Sequence, residues 1–312
     1  MHIDTHSHWI PPSFLAAIER EAERSEAFAR DFGMFTAFLA DAPVRRLDLR
    51  VEEMDGCGLD VSVLSVPPPG VTFGSRTERQ MIAVDANDAI LGAAAEHPGR
   101  FTVLVSLPLP HVEDSIAELE RVAGDPQTRG VSLLTVAADW TPDDTTLEPV
   151  YRRIAELGLP LVTHPAVEPL PAAWSDWALA ASVGPVVSSS LGVARLALSG
   201  MLDRVPDLDV VVPHLGGLLP YIAQRVADFG PGEAEHDLLH YLRERLWLDT
   251  CSFHPPAFRC AVETSGVDRL MLGSDYPFRG PLARAVQDVV DCVPDADEQN
   301  LVLGDTAACW FG

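Results

Sequence analysis

Two histidines separated by one residue, His6 and His8, are the first side chains in this sequence whose types and spacing could do chemistry. Residues two apart on a strand project to the same side, so both imidazoles could reach one metal ion. An isolated His-x-His sequence is more often solvated than ligating, and the motif has low specificity by itself. The pair therefore needs further candidate ligands before it predicts a metal site.

Three more polar residues each follow an apolar run of strand length. His164 ends the run 159–163, His214 ends 210–213, and Asp275 ends 270–274. Any one of them alone is more simply a cap of the next helix. Three of them together with a histidine pair indicate a site instead. Nitrogen and carboxylate ligands suit zinc or another first-row divalent ion, and a set of this size leaves a position for water or substrate.

Other side chains are weaker candidates. His254 follows the seventh predicted strand and could line the mouth of a site, and Asp249 could orient a ligand or cap a helix. Several aromatic residues in predicted loops could form an apolar wall or belong to the core: Phe38, Phe73, Trp174 and Trp177. The remaining histidines lie away from the ends of the predicted strands: His2, His97, His111, His236 and His240.

The candidates are positioned by short apolar runs that alternate with helical stretches. We predict strands near 2–6, 60–66, 101–106, 130–135, 159–163, 208–213, 246–249 and 269–273. Continuous runs of Val, Leu and Ile are typical of strands covered on both faces, and such strands are normally parallel. We predict helices near 77–97, 112–123, 145–157, 188–203, 217–229, 233–244, 256–265, 281–291 and 297–309.

Eight such repeats favour an α/β fold, a (β/α)8 TIM barrel, in a single domain over 1–312. An open doubly wound sheet is the alternative, although the turn after the first strand lacks its glycine fingerprint. Residues 9–50 form a long insertion, with a helix near 13–31, that could act as a lid over the barrel. The carboxyl ends of barrel strands meet on one face, where His6, His164 and Asp275 would converge.

Composition narrows the function. The formal charge is −24, from 46 acidic and 22 basic residues, so binding to nucleic acid or anionic membranes is not expected. The basic residues are all Arg, which excludes lysine bases and a carboxylated-lysine metal bridge. The five cysteines are scattered without a CxxC pair, and no signal-peptide pattern is present, so we expect reduced thiols in a cytoplasmic protein.

These residues also carry a family resemblance. The order His6-x-His8, His164, then His-Leu-Gly-Gly at 214–217 and Gly-Ser-Asp-Tyr-Pro-Phe at 273–278 resembles the amidohydrolase-2 branch of the amidohydrolase superfamily, which includes aminocarboxymuconate semialdehyde decarboxylase. The likeness spans almost the whole chain. It implies metal ligands at His6, His8, His164 and Asp275, and an acid–base role for His214 next to the ion.

The resemblance also implies a homodimer. Arg225 matches an arginine that reaches into the neighbouring subunit's site to hold a substrate carboxylate; a surface ion pair is the alternative. A second substrate-binding arginine of the family would lie within residues 35–40, which contain no arginine. Arg45 or Arg46 could substitute for it. Trp177 and His254 complete the candidate substrate-binding residues. Because the fourth predicted strand has no Lys, Glu or Asp, one metal ion is favoured over the two of many superfamily members.

Two reactions remain open at this stage. The first is non-oxidative decarboxylation of a small aromatic or unsaturated carboxylic acid, with His214 or Asp275 handling the proton and Zn²⁺, or else Mn²⁺, as the ion. The alternative is hydrolysis or hydration of an amide, lactone, carbon–carbon or alkene bond by a metal-activated water. A catalytically silent metal-binding scaffold is a third reading. The sequence contains no GxSxG motif and no P-loop.

Overall fold

Eight parallel strands pair in the order in which they occur along the chain and enclose a barrel. The computed structural model describes residues 1–29, 32, 45–135, 137, 139–165, 174, 176–252 and 254–312. The strands are β1 Ile3–His8, β2 Val61–Ser65, β3 Phe101–Ser106, β4 Thr128–Leu134, β5 Leu161–His164, β6 Val210–Val212, β7 Leu246–Asp249 and β8 Leu270–Met271. All eight predicted strands are present.

Hydrogen bonds between β1 and the segment at and beyond β8 close the ring. The amide of Thr5 donates to the carbonyl of Leu272 at 2.8 Å, and the amide of Asp275 donates to the carbonyl of His6 at 2.8 Å. An open sheet would leave β1 and β8 unpaired along these edges. The predicted (β/α)8 barrel is therefore confirmed, and the doubly wound alternative is wrong.

Helices follow the strands around the barrel, and the last of them places Phe311 at its lower end. They are α1 Pro12–Arg24, α2 Leu47–Cys57, α3 Arg76–Ala95, α4 Val112–Val122, α5 Glu148–Glu156, α6 Leu179–Ser182, α7 Gly184–Leu198, α8 Met201–Arg204, α9 Leu219–Ala227, α10 Leu238–Glu244, α11 Pro255–Ser265, α12 Leu282–Cys292, α13 Ala296–Asn300 and α14 Ala308–Phe311. Among the described residues, no helix combines the length and the apolar character needed to cross a membrane.

The helix predicted over 297–309 is divided into α13, a turn at Leu301–Asp305 and α14, and three other differences from the prediction have local reasons. The helix predicted over 13–31 ends at Arg24, because Ser25 takes an extended conformation. The segment predicted as one helix over 188–203 is divided into α7 and α8 by Gly200, whose φ of 71° is left-handed. Helix α2 was not predicted. It buries Arg50, whose Nη2 donates to the carbonyl of His8 at 2.7 Å, and so connects the insertion to β1.

The barrel interior has two layers that differ in chemistry. The lower layer, at the amino ends of the strands, is apolar: Ile3, Val61, Val63, Leu104, Val162, Val211 and Met271, closed from below by Ala307 and Phe311. Side chains two positions further along a strand project to the same side. They form an upper layer that is largely polar: Ser65, Ser106, Ser132, His164 and Asp249, together with His6 and His8. The fold thus places polar groups at the carboxyl end of the barrel.

Candidate metal centre

Four side chains that are distant in the sequence converge in the upper layer. One donor atom each from His6, His8, His164 and Asp275 lies within 4.8 Å of all the others, and we call this group the metal centre. Nε2 of His6 is 3.3 Å from Nε2 of His8. Oδ1 of Asp275 is 3.3 Å from Nε2 of His8 and 3.5 Å from Nε2 of His6. The four residues come from β1, β5 and the segment after β8.

Each histidine of the metal centre is oriented through its Nδ1 atom. His6 Nδ1 lies 2.6 Å from Oδ2 of Asp249, and His164 Nδ1 donates to the carbonyl of Pro165 at 2.9 Å. His8 Nδ1 is 3.0 Å from Oγ of Ser65, whose own hydroxyl donates to the carbonyl of Ser7. Because Nδ1 carries the proton in each ring, the Nε2 lone pairs face the centre. Such partners fix the tautomer of metal-ligating histidines.

The arrangement fits a divalent cation. Two unprotonated Nε2 atoms that face each other at 3.3 Å are stabilised only by a proton or a cation between them. His164 Nε2 is buried and has no hydrogen-bond partner among the described residues. Leaving a buried polar atom unpaired costs about 1–3 kcal/mol. Three imidazole nitrogens and a carboxylate are ligands typical of catalytic zinc and of related first-row ions.

The electrostatics of the centre follow from burial and from the nearby carboxylates. Burial lowers the pKa of His6, but the charge and hydrogen bond of Asp249 outweigh it and raise that pKa to about 9. Burial lowers the pKa of His8 and that of His164. Burial opposes ionisation of Asp275, yet the imidazoles of His214 and His8 hold its pKa well below the usual range. Before an ion binds, the centre therefore combines a protonated His6, the neutral imidazoles of His8 and His164, and an ionised carboxylate.

Asp275 is held in an unusual backbone conformation. Its φ is 56°, in the left-handed region that a residue other than glycine rarely adopts, and its amide donates to the carbonyl of His6. The preceding Ser274 donates from its amide and its hydroxyl to Asp4, at 2.9 and 2.7 Å. Burial raises the pKa of Asp4 to about 6, although these hydrogen bonds oppose the shift. Asp4 thus anchors the β8 turn to β1.

A glycine allows the strands around Asp249 to approach closely. A Cβ atom at Gly273 would lie 2.8 Å from Cβ of Asp249 and 3.1 Å from Cβ of His6. A side chain at this position would push apart the residues of the His6–Asp249 hydrogen bond. Asp249 does not cap helix α11, whose N-terminal cap is His254. Of the two roles considered for Asp249, the structure supports orientation of His6.

His214 lies beside the metal centre and outside the group of four. Its Nε2 is 3.7 Å from Oδ2 of Asp275, and its amide donates to Oδ1 of Asp249 at 2.8 Å. Its φ is 58°, and Leu215 and the two glycines that follow are also left-handed, so the turn at 214–217 directs the buried imidazole into the barrel. Nδ1 of His214 has no hydrogen-bond partner among the described residues. The position suits a group that transfers protons near the ion.

The structure does not bring the predicted substrate-binding residues into contact with the metal centre. Arg225 is exposed on α9 and forms no ion pair with any described carboxylate. Trp177 is 87% exposed, and His254 is exposed at the start of α11. The carbonyl of Arg45 accepts a hydrogen bond at 2.9 Å from the indole of Trp9, one residue beyond His8.

Among the described residues, the predicted aromatic wall does not form around the metal centre. Phe73 lies against α1 and α3, away from the metal centre. Trp174 is half-buried, and Phe38 lies outside the described residues. Within the insertion, α1 packs on α3, while residues 33–44, where a lid would lie, are also outside the described part. These aromatic residues were grouped by sequence position, which does not determine which face of a loop enters the barrel.

A cavity beside the metal centre was not predicted. It opens at the carboxyl ends of β2, β3 and β4, and Leu134 within it pairs in register with His164. Its lining includes apolar side chains, two serines of the upper layer and a tryptophan: Val66, Val71, Leu107, Leu134, Ser106, Ser132 and Trp140. Nε1 of Trp140 is buried without a hydrogen-bond partner among the described residues. The described residues leave room there for little more than a water molecule or a small polar substituent.

Two further residues near the centre were missed because their sequence context carries no motif. Nε of Arg279 lies 3.7 Å from Oδ2 of Asp275 and is partly exposed at the mouth. Cys251 is buried near His6 and His214, and burial raises the pKa of its thiol well above the usual range. Only the position of Cys251 two residues after β7 could have indicated that it approaches the site.

The comparisons with known proteins agree with this geometry. A family model described as amidohydrolase matches residues 3–312. A 2-amino-3-carboxymuconate-6-semialdehyde decarboxylase of Dictyostelium discoideum is 27% identical over 274 residues, covering 82% of this chain and 74% of the relative. A solved 5-carboxyvanillate decarboxylase from Sphingomonas paucimobilis is 26% identical with a TM-score of 0.87, over 99% of this chain and 98% of that chain.

A second solved structure is a 5-carboxyvanillate decarboxylase from Novosphingobium aromaticivorans with bound manganese and 3-methoxy-4-hydroxy-5-nitrobenzoic acid. It has a TM-score of 0.88 and 21% identity, and covers 100% of this chain and 97% of that chain, so the likeness shows the shared fold. The family match extends over nearly every residue, and the barrel and its histidine and aspartate cluster agree with it. The chain belongs to the amidohydrolase family.

Proposed function

We propose that this protein is a metal-dependent, non-oxidative decarboxylase of a small aromatic or unsaturated carboxylic acid. The observation that carries the proposal is the metal centre with the imidazole of His214 beside it, near a cavity of mixed apolar and polar lining. The decarboxylases from Dictyostelium discoideum and Sphingomonas paucimobilis, both above 25% identity, act on carboxylic acids. Fold alone would not support this choice, because one barrel serves many reactions.

The reaction needs few groups. The bond between the carboxyl carbon and the ring or vinyl carbon breaks, carbon dioxide leaves, and the electron pair stays on the carbon that then takes one proton. A bound divalent ion would supply a Lewis acid that withdraws charge from the substrate carboxylate or an adjacent oxygen. His6, His8, His164 and Asp275 would hold it. We propose zinc as the ion, with manganese as the alternative that one solved neighbour contains.

The proton would be handled by His214 and Asp275. An imidazole can carry a proton to carbon near neutral pH, whereas the carboxylate of Asp275 stays ionised as a ligand. The 3.7 Å between Nε2 of His214 and Oδ2 of Asp275 would let the carboxylate orient the imidazolium. Asp249 positions the His214 backbone and keeps the ring at this distance. These contacts favour His214 over Asp275 as the proton donor.

The substrate would lie between the metal centre and the Trp140 cavity. A flat ring at the mouth of this cavity would face Val66, Val71 and Leu107, and a polar ring substituent that enters the cavity would accept from the indole N–H of Trp140. Arg279 would supply positive charge at the mouth, where the family arginine of the insertion is missing. We propose that residues 9–50 form a wall or lid of this single domain.

We further propose a homodimer in which Arg225 reaches the partner's site. Tyr221 and Phe229, close to Arg225 on and just after α9, are 84% and 85% exposed, and Leu191 on the neighbouring α7 is also exposed. Ser190 Oγ accepts from the amide of Leu218, so the two helices present these residues side by side. Exposed apolar groups of this kind mark protein interfaces. The unpaired cysteines suit the cytoplasm.

Product analysis tests the reaction. Purified protein loaded with Zn²⁺ or Mn²⁺ is incubated in D₂O with 5-carboxyvanillate and with 2-amino-3-carboxymuconate semialdehyde. A decarboxylase releases carbon dioxide and leaves one deuterium on the carbon that carried the carboxylate. A hydrolase or hydratase, the alternative reaction of the same ligand set, incorporates solvent oxygen and releases no carbon dioxide. The latter result would overturn the proposal.

Mixed dimers test the role of Arg225. Arg225→Ala and His214→Ala should each be inactive alone. If Arg225 acts across the interface, their mixture regains activity, because a mixed dimer contains one site with both residues. Random exchange would restore about a quarter of the wild-type activity. No recovery in a preparation shown to contain mixed dimers would place Arg225 in its own subunit's site or outside any site.

A further inference from the structure

A second group of possible ligands overlaps the metal centre. Donor atoms of Cys251, His6 and His214 lie within 4.8 Å of one another, and all three side chains are buried. Both Cys251 and His214 are held by one carboxylate oxygen, because Oδ1 of Asp249 accepts from the amide of Cys251 at 3.0 Å and from the amide of His214 at 2.8 Å. The thiol is therefore placed by the same residue that orients His6.

We infer that Cys251, His6 and His214 form a separate position for a thiophilic divalent cation such as Cd²⁺. Thiolate ligands select soft ions, whereas the carboxylate of Asp275 suits harder ones such as Mn²⁺. His214 also has a nitrogen to offer an ion, because its buried Nδ1 has no hydrogen-bond partner among the described residues. When the ion binds, the Cys251 thiol releases its proton to solvent and a sulfur–cadmium bond forms, without oxidation or reduction.

The two positions cannot be filled together. Nδ1 of His6 is engaged by Asp249, so only Nε2 is free to bind an ion. One imidazole nitrogen binds one ion, and both positions need that atom. A soft ion at the thiol position therefore displaces the ion held by His8, His164 and Asp275. It also occupies His214, which the proposed function uses for the proton. The expectation that such an ion inhibits turnover rests on the proposed function. The binding position itself does not.

Ultraviolet spectroscopy of the metal-free protein tests the position without substrate. Titration with Cd²⁺ should produce sulfur-to-cadmium charge-transfer absorption that saturates at one ion per chain, and Mn²⁺ should produce none. In Cys251→Ser the absorption should disappear and the Cd²⁺ affinity should fall at least about 10-fold, while Mn²⁺ affinity is retained. The matched control Cys260→Ser, a half-buried thiol on α11, should leave the absorption unchanged.

Two histidine variants separate the positions. His8→Ala removes a ligand of the metal centre alone and should abolish Mn²⁺ binding while the cadmium absorption persists. His214→Ala should weaken the cadmium absorption and leave Mn²⁺ bound. These variants keep the test decisive if Cys251→Ser fails to fold. Absorption that survives in Cys251→Ser, or is lost in His8→Ala, would overturn the inference. A chain that proves not to be a decarboxylase would leave these spectra as expected.

Discussion

The lower and upper layers of the barrel are built by the same strands and differ in what they contribute. In β2, β3 and β5, an apolar residue of the lower layer is followed two positions later by a polar one: Val63 and Ser65, Leu104 and Ser106, Val162 and His164. The lower layer meets the apolar plug of Phe311. The upper layer meets the polar groups of the metal centre and, at Ser106 and Ser132, the mixed lining of the Trp140 cavity.

This contrast separates stability from chemistry within one core. Apolar burial stabilises the fold by about 25 cal/mol per Å², and the lower layer supplies it at the amino end. The polar groups of the upper layer gain less from burial and require partners, which they find in Asp249, Ser65 and Asp4. Substitutions in the two layers should therefore fail in different ways.

The largest expected effect comes from breaking the upper layer. His6→Ala removes a ligand shared by both ion positions, so bound metal should be lost and turnover should fall by at least about 1000-fold. The metal-free protein should also lose stability, because the buried carboxylate of Asp249 loses its partner. Metal analysis and calorimetry measure both quantities, with His97→Ala as a control. Retained metal in His6→Ala would contradict the assignment.

In the lower layer, a substitution should reduce stability and leave metal binding intact. Phe311→Ala leaves a cavity under the barrel and should destabilise the protein by about 3–5 kcal/mol, because the surrounding strands cannot collapse fully into it. Metal content per folded chain should be unchanged. Denaturant unfolding gives the stability and metal analysis the content. A loss of metal from folded Phe311→Ala would show that the layers are coupled.

Asp249, the hydrogen-bond partner of His6, tests how far metal binding in the upper layer depends on the residues that orient the ligands. Asp249→Asn keeps the shape of the side chain but removes the charge that raises the pKa of His6. Metal affinity should fall about 10–100-fold, as for other residues that orient ligands. Asp209→Asn, at the opposite end of the barrel and hydrogen-bonded to Trp310, is the matched control and should leave affinity unchanged. Competition with a chelator measures the affinity.

The layers should also respond differently to pH. The pKa of His6 is raised to about 9 in the metal-free protein, so a proton occupies the imidazole below that pH and must leave before an ion binds. Metal affinity should decrease as the pH falls below about 9, by up to about tenfold per pH unit. The lower layer contains no titratable side chain. Chelator competition at several pH values checks this, and an affinity that rises on acidification would contradict it.

The smallest effect is expected in the cavity. Trp140→Phe retains the apolar contact and removes the indole N–H, so KM should rise about fivefold for a substrate with a hydrogen-bond acceptor on its ring, which corresponds to about 1 kcal/mol. A substrate without that acceptor should be unaffected. Trp310→Phe at the other end of the barrel is the control. An equal change in KM for both substrates would assign Trp140 a packing role alone.

Strand periodicity explains what could be predicted. Each strand was visible as a short apolar run. Three of these runs could be seen to lead to His164, His214 and Asp275. Helix α2 was less accessible, because the burial of Arg50 depends on its contact with the carbonyl of His8. Arg279 and Trp140 lie in loops, where no period relates position to direction.

The sequence by itself determined the number of strands, the polar ends of β1 and β5 and the kind of ion that such ligands can hold. Tertiary structure decided which groups meet. Asp249 reaches His6 across 243 residues of sequence, Ser65 reaches His8 across 57, and Cys251 enters the same space. The alternation of a strand specifies only the side on which a residue lies. The partner it faces depends on how the barrel closes, which is a property of all eight strands together.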